Sequence, residues 1–400
     1  MIWSTNRFRA ILLSVALLVA TSLRGAPEPA SKEKSAPAPS PALEHLAWRD
    51  PANGPHEIAG RILVEASDGG LLLLGQDGRL WTIDKPALVS RKATSEPFRP
   101  LSAAALGRQL QAELGPRCEV VVTRHYVICS RASRQYAQWC GNLFERLYTS
   151  FHNHWKQRGM KLAEPEFPLV ALVFPNATEF AEFATKDAGA DAATAKGYFS
   201  IGTNRMVLYD LTATVDARAD TRVDMPDDIS SRLASVPYNI ATVVHEATHQ
   251  IAFNSGMHTR YADNPLWLVE GMAMYFETPD LRNKTGWRTA GAVNDERLGQ
   301  FRDFLAKRRK PDSLATLICT DARFTDAEQM PDAYSEAWAL SYFLIRTKKE
   351  AYVKYLTGVS AKPLLVWDKP AERLAEFRTA FGDDLDQLNA DLLKYLRKLK

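Results

Sequence analysis

The most informative segment of the sequence reads Ile240-Ala-Thr-Val-Val-His245-Glu246-Ala-Thr-His249-Gln-Ile251. Its apolar residues recur at helical spacing, which predicts an amphipathic helix with one buried face. His245 and His249 are four residues apart, so their rings lie one turn apart and can bind one metal ion. Glu246 follows the first histidine, where its carboxylate can hold a metal-activated water and accept its proton. Two solvated histidines on a surface helix are the alternative, and the apolar flanks argue against it.

A catalytic zinc site of this kind needs a third protein ligand and an open position for water. A third histidine would be expected six residues after His249, but that position is Ser255. The other arrangement takes a glutamate from a second helix further along the chain, and Glu270 in Pro265-Leu-Trp-Leu-Val-Glu270 supplies it. We therefore predict one Zn²⁺ per chain, bound by His245, His249 and Glu270.

The neighbours of Glu270 give three further expectations. Asn264 is expected to cap the second helix, with Pro265 at its first position. Gly271 costs about 1 kcal/mol relative to alanine inside a helix, and we attribute its presence to close approach of the metal-binding helix. Glu277 lies two turns beyond Glu270 on the same face and could accept a hydrogen bond from a histidine ligand. A solvated carboxylate at the helix end is the alternative for Glu277.

These segments resemble the gluzincins, which are zinc peptidases with a His-Glu-x-x-His motif and a downstream glutamate ligand. The resemblance is closest to the peptidase-MA-like branch related to aminopeptidase N. More narrowly, the chain is similar over residues 115–398 to an uncharacterised group of secreted bacterial proteins with this domain. The resemblance is carried by His245-Glu246-x-x-His249, Trp267-x-x-Glu270-Gly271-x-Ala273-x-Tyr275-x-Glu277, Tyr334-Ser-Glu-Ala-Trp338 and residues 122–128.

The resemblance implies an α+β, thermolysin-like fold, with a small mixed sheet over the zinc helix and a helical lobe beyond it. It also implies that Tyr334 stabilises the oxyanion, as a tyrosine does in aminopeptidase N-like enzymes. The alternative for Tyr334 is a buried tyrosine that begins an ordinary core helix. Thermolysin's own supporting aspartate, four residues past the glutamate ligand, is replaced here by Met274.

One family feature is missing. Aminopeptidases of this branch bind a free amino terminus with a Gly-x-Met-Glu-Asn segment, and no such segment occurs in this sequence. The corresponding stretch, residues 196–210, would instead be the sheet edge along which an extended peptide lies. The expected activity is therefore that of an endopeptidase rather than an aminopeptidase, with a peptide or protein as substrate.

Two other functions are compatible with parts of this pattern. A non-catalytic, zinc-containing envelope-binding protein of the same fold is the main alternative, and the intact base Glu246 argues against it. Peptide deformylase also uses a His-Glu-x-x-His motif, but it needs an upstream cysteine ligand, and Cys140 is too distant. Asn294 and Arg297 could reach the cleft, although a helix cap and a structural ion pair are the simpler interpretation.

The composition is that of a globular protein. The chain of 400 residues is 46% hydrophobic and carries a formal net charge of +3. Such a charge gives no basic surface for a phosphate backbone, which argues against nucleic acid as a partner. The sequence does not indicate an oligomeric state.

The N-terminus has the features of an export signal. Arg7 and Arg9 precede an uncharged apolar run over residues 10–20, and small residues follow it, as in a cleavable signal peptide. We predict a signal peptide over residues 1–26, a Pro/Ala/Ser-rich linker over residues 27–43, and an exported protein in the periplasm or outside the cell. An uncleaved membrane anchor is the alternative, but the apolar run is short for a bilayer. No stable membrane insertion is expected after cleavage.

The rest of the chain is predicted to form two parts. Apolar runs over residues 58–64, 71–74 and 80–83, separated by Asp-Gly turns, predict a small β domain over residues 44–100. The metallopeptidase domain would then occupy residues 101–400, with the zinc helices at about 239–277 and a helical lobe at about 290–400.

The four cysteines allow one specific expectation. Cys118 and Cys129 would face each other across a hairpin if Thr123 and Arg124 form its turn, which would allow a disulfide. Four buried thiols are the alternative, and Cys140 and Cys319 have no predicted partner.

Overall fold

The computed structural model describes residues 42–50, 54–212, 237–278 and 290–399, with the backbone alone for residues 237–239. The predicted signal peptide and all but the last two residues of the predicted linker lie outside this part. The chain divides after Leu101 into two compact units, one residue beyond the predicted boundary. None of the helices in the described ranges combines the length and the apolar character needed to cross a membrane.

The first unit is a five-stranded antiparallel sheet in the order β4-β3-β2-β1-β5. Leu46, Trp48 and Leu73 lie in its buried core. The three predicted apolar runs correspond to β2, β3 and β4, whereas β1 and β5 were not predicted. The first strand begins at Ala42, inside the predicted linker, because Ala42 pairs with Pro97 in β5, and Leu43 is already buried. The strands are β1 Ala42–Asp50, β2 Gly54–Glu65, β3 Leu71–Gly75, β4 Leu80–Ile83 and β5 Leu88–Pro97.

The second unit contains a mixed five-stranded sheet in the order β6-β7-β8-β10-β9. The central pairs β7–β8 and β8–β10 are parallel, and the outer pairs β6–β7 and β10–β9 are antiparallel. Strand β9 is therefore an edge of this sheet, and β10 is internal. The strands are β6 Glu119–Val122, β7 Tyr126–Ser130, β8 Leu169–Phe174, β9 Gly197–Ser200 and β10 Arg205–Tyr209.

Twelve α-helices in the described ranges make up most of the second unit, so the chain is an α+β protein. Helices α1 to α3 accompany the sheet, α4 and α5 follow it, and the remaining seven form the predicted helical lobe. They are α1 Ala103–Leu114, α2 Arg134–Lys156, α3 Ala177–Ala188, α4 Pro237–Asn254, α5 Leu266–Tyr275, α6 Asp295–Lys307, α7 Ser313–Cys319, α8 Ala322–Thr325, α9 Met330–Thr347, α10 Lys349–Ser360, α11 Pro370–Phe381 and α12 Leu385–Leu396.

A disulfide between Cys118 and Cys129 joins the two ends of the β6–β7 hairpin, with a Cα–Cα distance of 5.8 Å. The predicted turn is shifted by one residue. The N–H of Thr123 donates to the carbonyl of Tyr126 at 2.9 Å, so residues 124 and 125 form the turn. In this register Cys129 lies opposite residue 120 rather than opposite Cys118. Cys118 forms the disulfide from a position just before the start of β6.

Candidate metal centre

Helix α4 carries the two histidines and the intervening glutamate. The apolar residues predicted to be buried are buried, but so are His245, Glu246 and His249. The helix is therefore enclosed on all sides rather than amphipathic. Gln250 anchors it to the sheet, because its side-chain Nε2 donates to the carbonyls of Val170 at 2.9 Å and Asn204 at 3.1 Å.

Helix α5 places Glu270 opposite α4, and its start differs from the prediction. The helix begins at Leu266, whose N–H donates to Asp321 Oδ1 at 2.9 Å. The prediction that Asn264 caps this helix is wrong. Its amide Nδ2 donates instead to the carbonyls of Thr259 and Ala262, so the carboxylate of a residue far along the chain takes the capping role.

Gly271 allows close packing of α5, but against a different helix from the one expected. A Cβ atom at this position would overlap the carbonyl oxygen of Ala337 and Oγ of Ser341, both on α9. The predicted approach of α4 at this glycine is therefore wrong. The glycine allows the backbone of α5, which carries Glu270, to pack closely against α9.

Three side-chain atoms converge between α4 and α5. Nε2 of His245 lies 2.8 Å from Nε2 of His249 and 3.0 Å from Oε2 of Glu270. The third distance, from His249 Nε2 to Glu270 Oε2, is 3.5 Å. All three residues are fully buried, and they form the one group of this kind found within the described ranges.

The donor set fits a metal ion. Two imidazole nitrogens and one carboxylate oxygen are ligands that a divalent transition metal accepts. The other carboxylate oxygen, Glu270 Oε1, is buried and has no hydrogen-bond partner among the residues that the structure describes. A buried carboxylate oxygen without a partner is unfavourable, and a bound cation would compensate for it. His245, His249 and Glu270 could therefore bind a metal ion.

Glu277 forms a hydrogen bond with one histidine of this group, as expected. Its Oε1 lies 2.7 Å from Nδ1 of His245, and the residue is buried. Glu277 is not on the face of α5, however, because the helix ends at Tyr275 and the chain turns before Glu277. Asn294 and Arg297 take the simpler of the two roles, since Asn294 caps α6 and Arg297 forms an ion pair with Glu277. The side chain of Asn294 also contacts Glu277.

The charges of the group alter its pKa values. Burial lowers the pKa of His245, but hydrogen bonds to Glu270 and Glu277 outweigh burial and raise that pKa to about 10. Burial raises the pKa of Glu277, but the charge of Arg297 and the hydrogen bond to His245 lower it to about 2. The pKa of Glu270 is likewise lowered by the two histidines against the effect of burial. Both glutamates are therefore carboxylates at neutral pH.

The buried side chain of Glu246 is directed towards the edge strand β9. Its Oε2 accepts a hydrogen bond from the backbone N–H of Phe199 in β9, at 2.9 Å. Burial raises the pKa of this carboxyl, while His245 and His249 lower it. The carboxylate is thus bonded to the edge strand of the sheet and belongs to the helix that carries both histidines.

Tyr334 lies in the second turn of α9, close to the same group. It is 7% exposed and packs edge-on against Phe324, with ring centroids 5.4 Å apart. Burial raises the pKa of its phenol, and the negative charges of Glu270 and Glu246 raise it further. The hydroxyl group is therefore protonated and lies within electrostatic reach of both carboxylates.

Three contacts of the site, made by Phe199, Asp321 and Gln250, were not predicted from the sequence. The N–H of Phe199 is a backbone group, and no side-chain pattern marks it. Asp321 contacts α5 from 55 positions further along the chain, and nothing near Leu266 points to it. The contacts of Gln250 with the sheet could have been suspected from the sequence, since a glutamine on a largely apolar helix needs hydrogen-bond partners.

Residues 239–365 match a protein family described as "Protein of unknown function (DUF1570)". The match covers less than half of the chain, and it includes His245, Glu246, His249, Glu270, Glu277 and Tyr334. It ends before α11 and α12 and does not include the sheets. No curated protein matches the chain.

Proposed function

We propose that this protein is an exported, zinc-dependent peptidase with a thermolysin-like catalytic unit. The observation that carries the proposal is the placement of Glu246 beside a buried two-histidine, one-glutamate group. Zinc is the metal proposed because this ligand set, with one position left open, is typical of catalytic zinc. A bound Zn²⁺ would polarise the scissile carbonyl and lower the pKa of a coordinated water.

Glu246 acts as the general base in this proposal. Its burial raises the pKa of the carboxyl, which favours a group that accepts a proton and later returns it. The hydrogen bond from Phe199 to Oε2 fixes the orientation of the carboxylate. The other oxygen, Oε1, is then the one that accepts the proton from water and passes it to the leaving amine.

Strand β9 supports a peptide as the substrate. It is an edge of the second sheet, so its outer side can pair with an extended chain through backbone hydrogen bonds. The contact between Phe199 and Glu246 puts this edge beside the general base. A peptide bound there would present its carbonyls to the metal side of α4, without any requirement for a free amino terminus. We therefore propose endopeptidase activity.

Tyr334 donates a hydrogen bond to the oxyanion in the proposed mechanism. Its phenol keeps its proton because burial and the nearby carboxylates raise its pKa. A buried donor aimed at developing negative charge is worth about 3–4 kcal/mol in the transition state. The hydroxyl would thus stabilise the tetrahedral intermediate while Glu246 carries the proton.

The test measures metal content and peptide cleavage together. Purified protein and its Glu246→Gln variant would be examined by elemental analysis and with quenched-fluorescence casein. The proposal expects one zinc per chain in both proteins and cleavage by the wild type alone. Glutamine is close in shape to glutamate and keeps an acceptor for the N–H of Phe199 while removing the base, so a folding defect is not expected.

Three results would contradict the proposal in different ways. Wild-type protein without zinc would refute the metal site, and full activity in Glu246→Gln would refute the assignment of the base. Stoichiometric zinc with no cleavage of casein or of a peptide library would support a zinc-containing binding protein instead.

A further inference from the structure

Glu277 is surrounded by hydrogen-bond donors. Its Oε1 lies 2.7 Å from Nδ1 of His245 and 3.0 Å from Nη2 of Arg297. Its Oε2 lies 3.1 Å from both Nε of Arg297 and Nδ2 of Asn294. Arg297 therefore forms a bidentate ion pair with both oxygens of the carboxylate, which is a strong geometry for this type of interaction.

The orientation of Asn294 is fixed independently. Its Oδ1 accepts the backbone N–H of Arg297 at 3.1 Å, as the N-cap of α6. The amide nitrogen must then face Glu277 and can only donate to it. Arg297 is also a donor only. Both oxygens of Glu277 therefore accept hydrogen bonds from α6. Neither Asn294 nor Arg297 offers an acceptor to which a protonated Glu277 could donate.

This arrangement determines which nitrogen of His245 carries its proton. Because Glu277 can only accept, Nδ1 of His245 must donate to it. In the neutral ring, Nε2 then presents its lone pair towards His249 and Glu270. A histidine that binds a metal through Nε2 requires this tautomer.

We propose that Arg297 and Asn294 are positioning residues for the metal centre, which act on His245 through Glu277. They hold the carboxylate in place and keep its oxygens as acceptors, so that His245 is oriented and in the correct tautomer for the metal. The first turn of the helical lobe thereby contributes to metal affinity although it supplies no ligand. The inference rests on the metal site of the proposed function and does not depend on the reaction that the site catalyses.

The test is a zinc affinity measured by competition with a chromophoric chelator. Arg297→Gln removes the charge and the bidentate grip, and we expect zinc affinity to fall about 10–100-fold, the usual loss for such supporting residues. Asn294→Asp keeps the helix cap, since aspartate caps as well as asparagine. It replaces the donor that faces Glu277 by an acceptor, so a loss of similar size is expected.

Arg302→Gln is the matched control. Arg302 lies on the same helix, is exposed and donates to the carbonyl of Leu399, so its loss should leave zinc affinity unchanged. A second measurement separates positioning from general damage. In Arg297→Ala, added methylguanidinium should restore zinc affinity, and it should restore the visible spectrum of the Co²⁺-loaded protein, because the free cation can occupy the vacated position.

The outcomes are distinct. If wild-type protein binds zinc and both Arg297→Gln and Asn294→Asp bind it equally well, the inference is refuted while the proposed function stands. If wild-type protein binds no zinc, the metal site of the proposed function itself fails. If Arg297→Gln does not fold, Asn294→Asp decides, and wild-type affinity in that variant overturns the inference.

Discussion

The backbone N–H of Phe199 and the carboxylate of Glu246 form a hydrogen bond of 2.9 Å across 47 positions of the chain. It joins the edge strand of the sheet to the helix that carries both histidines. The orientation of Glu246 is thus fixed in part by a backbone group of the sheet. If Glu246 is the general base, as we propose, this bond preorganises it and reduces the reorganisation needed during reaction.

Glu270→Ala should abolish stoichiometric zinc binding. The substitution removes the one carboxylate ligand of the buried group and leaves His245 and His249 as the remaining donors. We expect zinc affinity to fall by more than about 100-fold, beyond the loss typical of supporting residues. Elemental analysis after gel filtration would measure this. Glu182→Ala, at an exposed position on α3, is the control and should retain one zinc per chain.

Tyr334→Phe should reduce kcat and leave zinc content unchanged. Loss of an oxyanion donor lowers kcat by about 10²- to 10³-fold. Steady-state hydrolysis of a fluorogenic peptide would give the value. Tyr355→Phe is the control, since Tyr355 is also buried and its hydroxyl has no hydrogen-bond partner in the described part of the chain. Equal activities for the two variants would assign Tyr334 to the core of the lobe.

Gly271→Ala should destabilise the fold. The added methyl group would overlap α9 at Ala337 and Ser341, and overpacking of this kind costs about 1–3 kcal/mol. Gly299→Ala provides the comparison, because a Cβ at Gly299 on α6 meets no atom within 4 Å. It should be stabilising by up to about 1 kcal/mol, the helix propensity difference. Denaturant unfolding of both variants tests the pair, and a neutral Gly271→Ala would argue against the close approach.

Zinc uptake should release a proton and strengthen with pH. In the metal-free fold the pKa of His245 is about 10, above the unfolded value of about 6.5. The stabilisation from the protonated ring is therefore complete below about pH 6.5 and is lost as the pH rises through about 10. A metal ion must displace this proton, so zinc affinity should rise with pH across that window.

Calorimetric titration in two buffers of different ionisation enthalpy would measure the proton release. About one proton per zinc is expected near pH 8, where the ring of His245 is still protonated in the metal-free fold. A zinc affinity independent of pH between 7 and 9 would show that the ring is already neutral before the metal binds.

The local parts of the site could be predicted from the sequence, since they depend on short spacings. The four-residue spacing of His245 and His249 predicted convergence on one helix, and the structure brings their Nε2 atoms to 2.8 Å. Strand β8 has an equally local signal, because Leu169–Phe174 is a continuous apolar run. Long apolar runs and helical periodicity require no knowledge of distant contacts.

The parts that were missed depend on partners far along the chain. The cap of α5 is Asp321 rather than the adjacent Asn264, and the neighbour of Gly271 is α9 rather than α4. Strand β5 was missed because its sequence is largely polar and exposed, so it has no apolar alternation, and it forms a strand through pairing with β1. In each case the contact that determines the local structure is made with a residue distant in the sequence.

The cap on α5 also bears on the order of events during biosynthesis. A chain emerges from the ribosome N-terminus first, so His245, His249 and Glu270 are all made before Asp321, which fixes the start of the Glu270 helix. A nascent chain therefore carries all three side chains of the candidate metal site before the residue that fixes the start of the Glu270 helix has been made. An ordered metal site is then expected only after synthesis has passed Asp321 and this contact has formed.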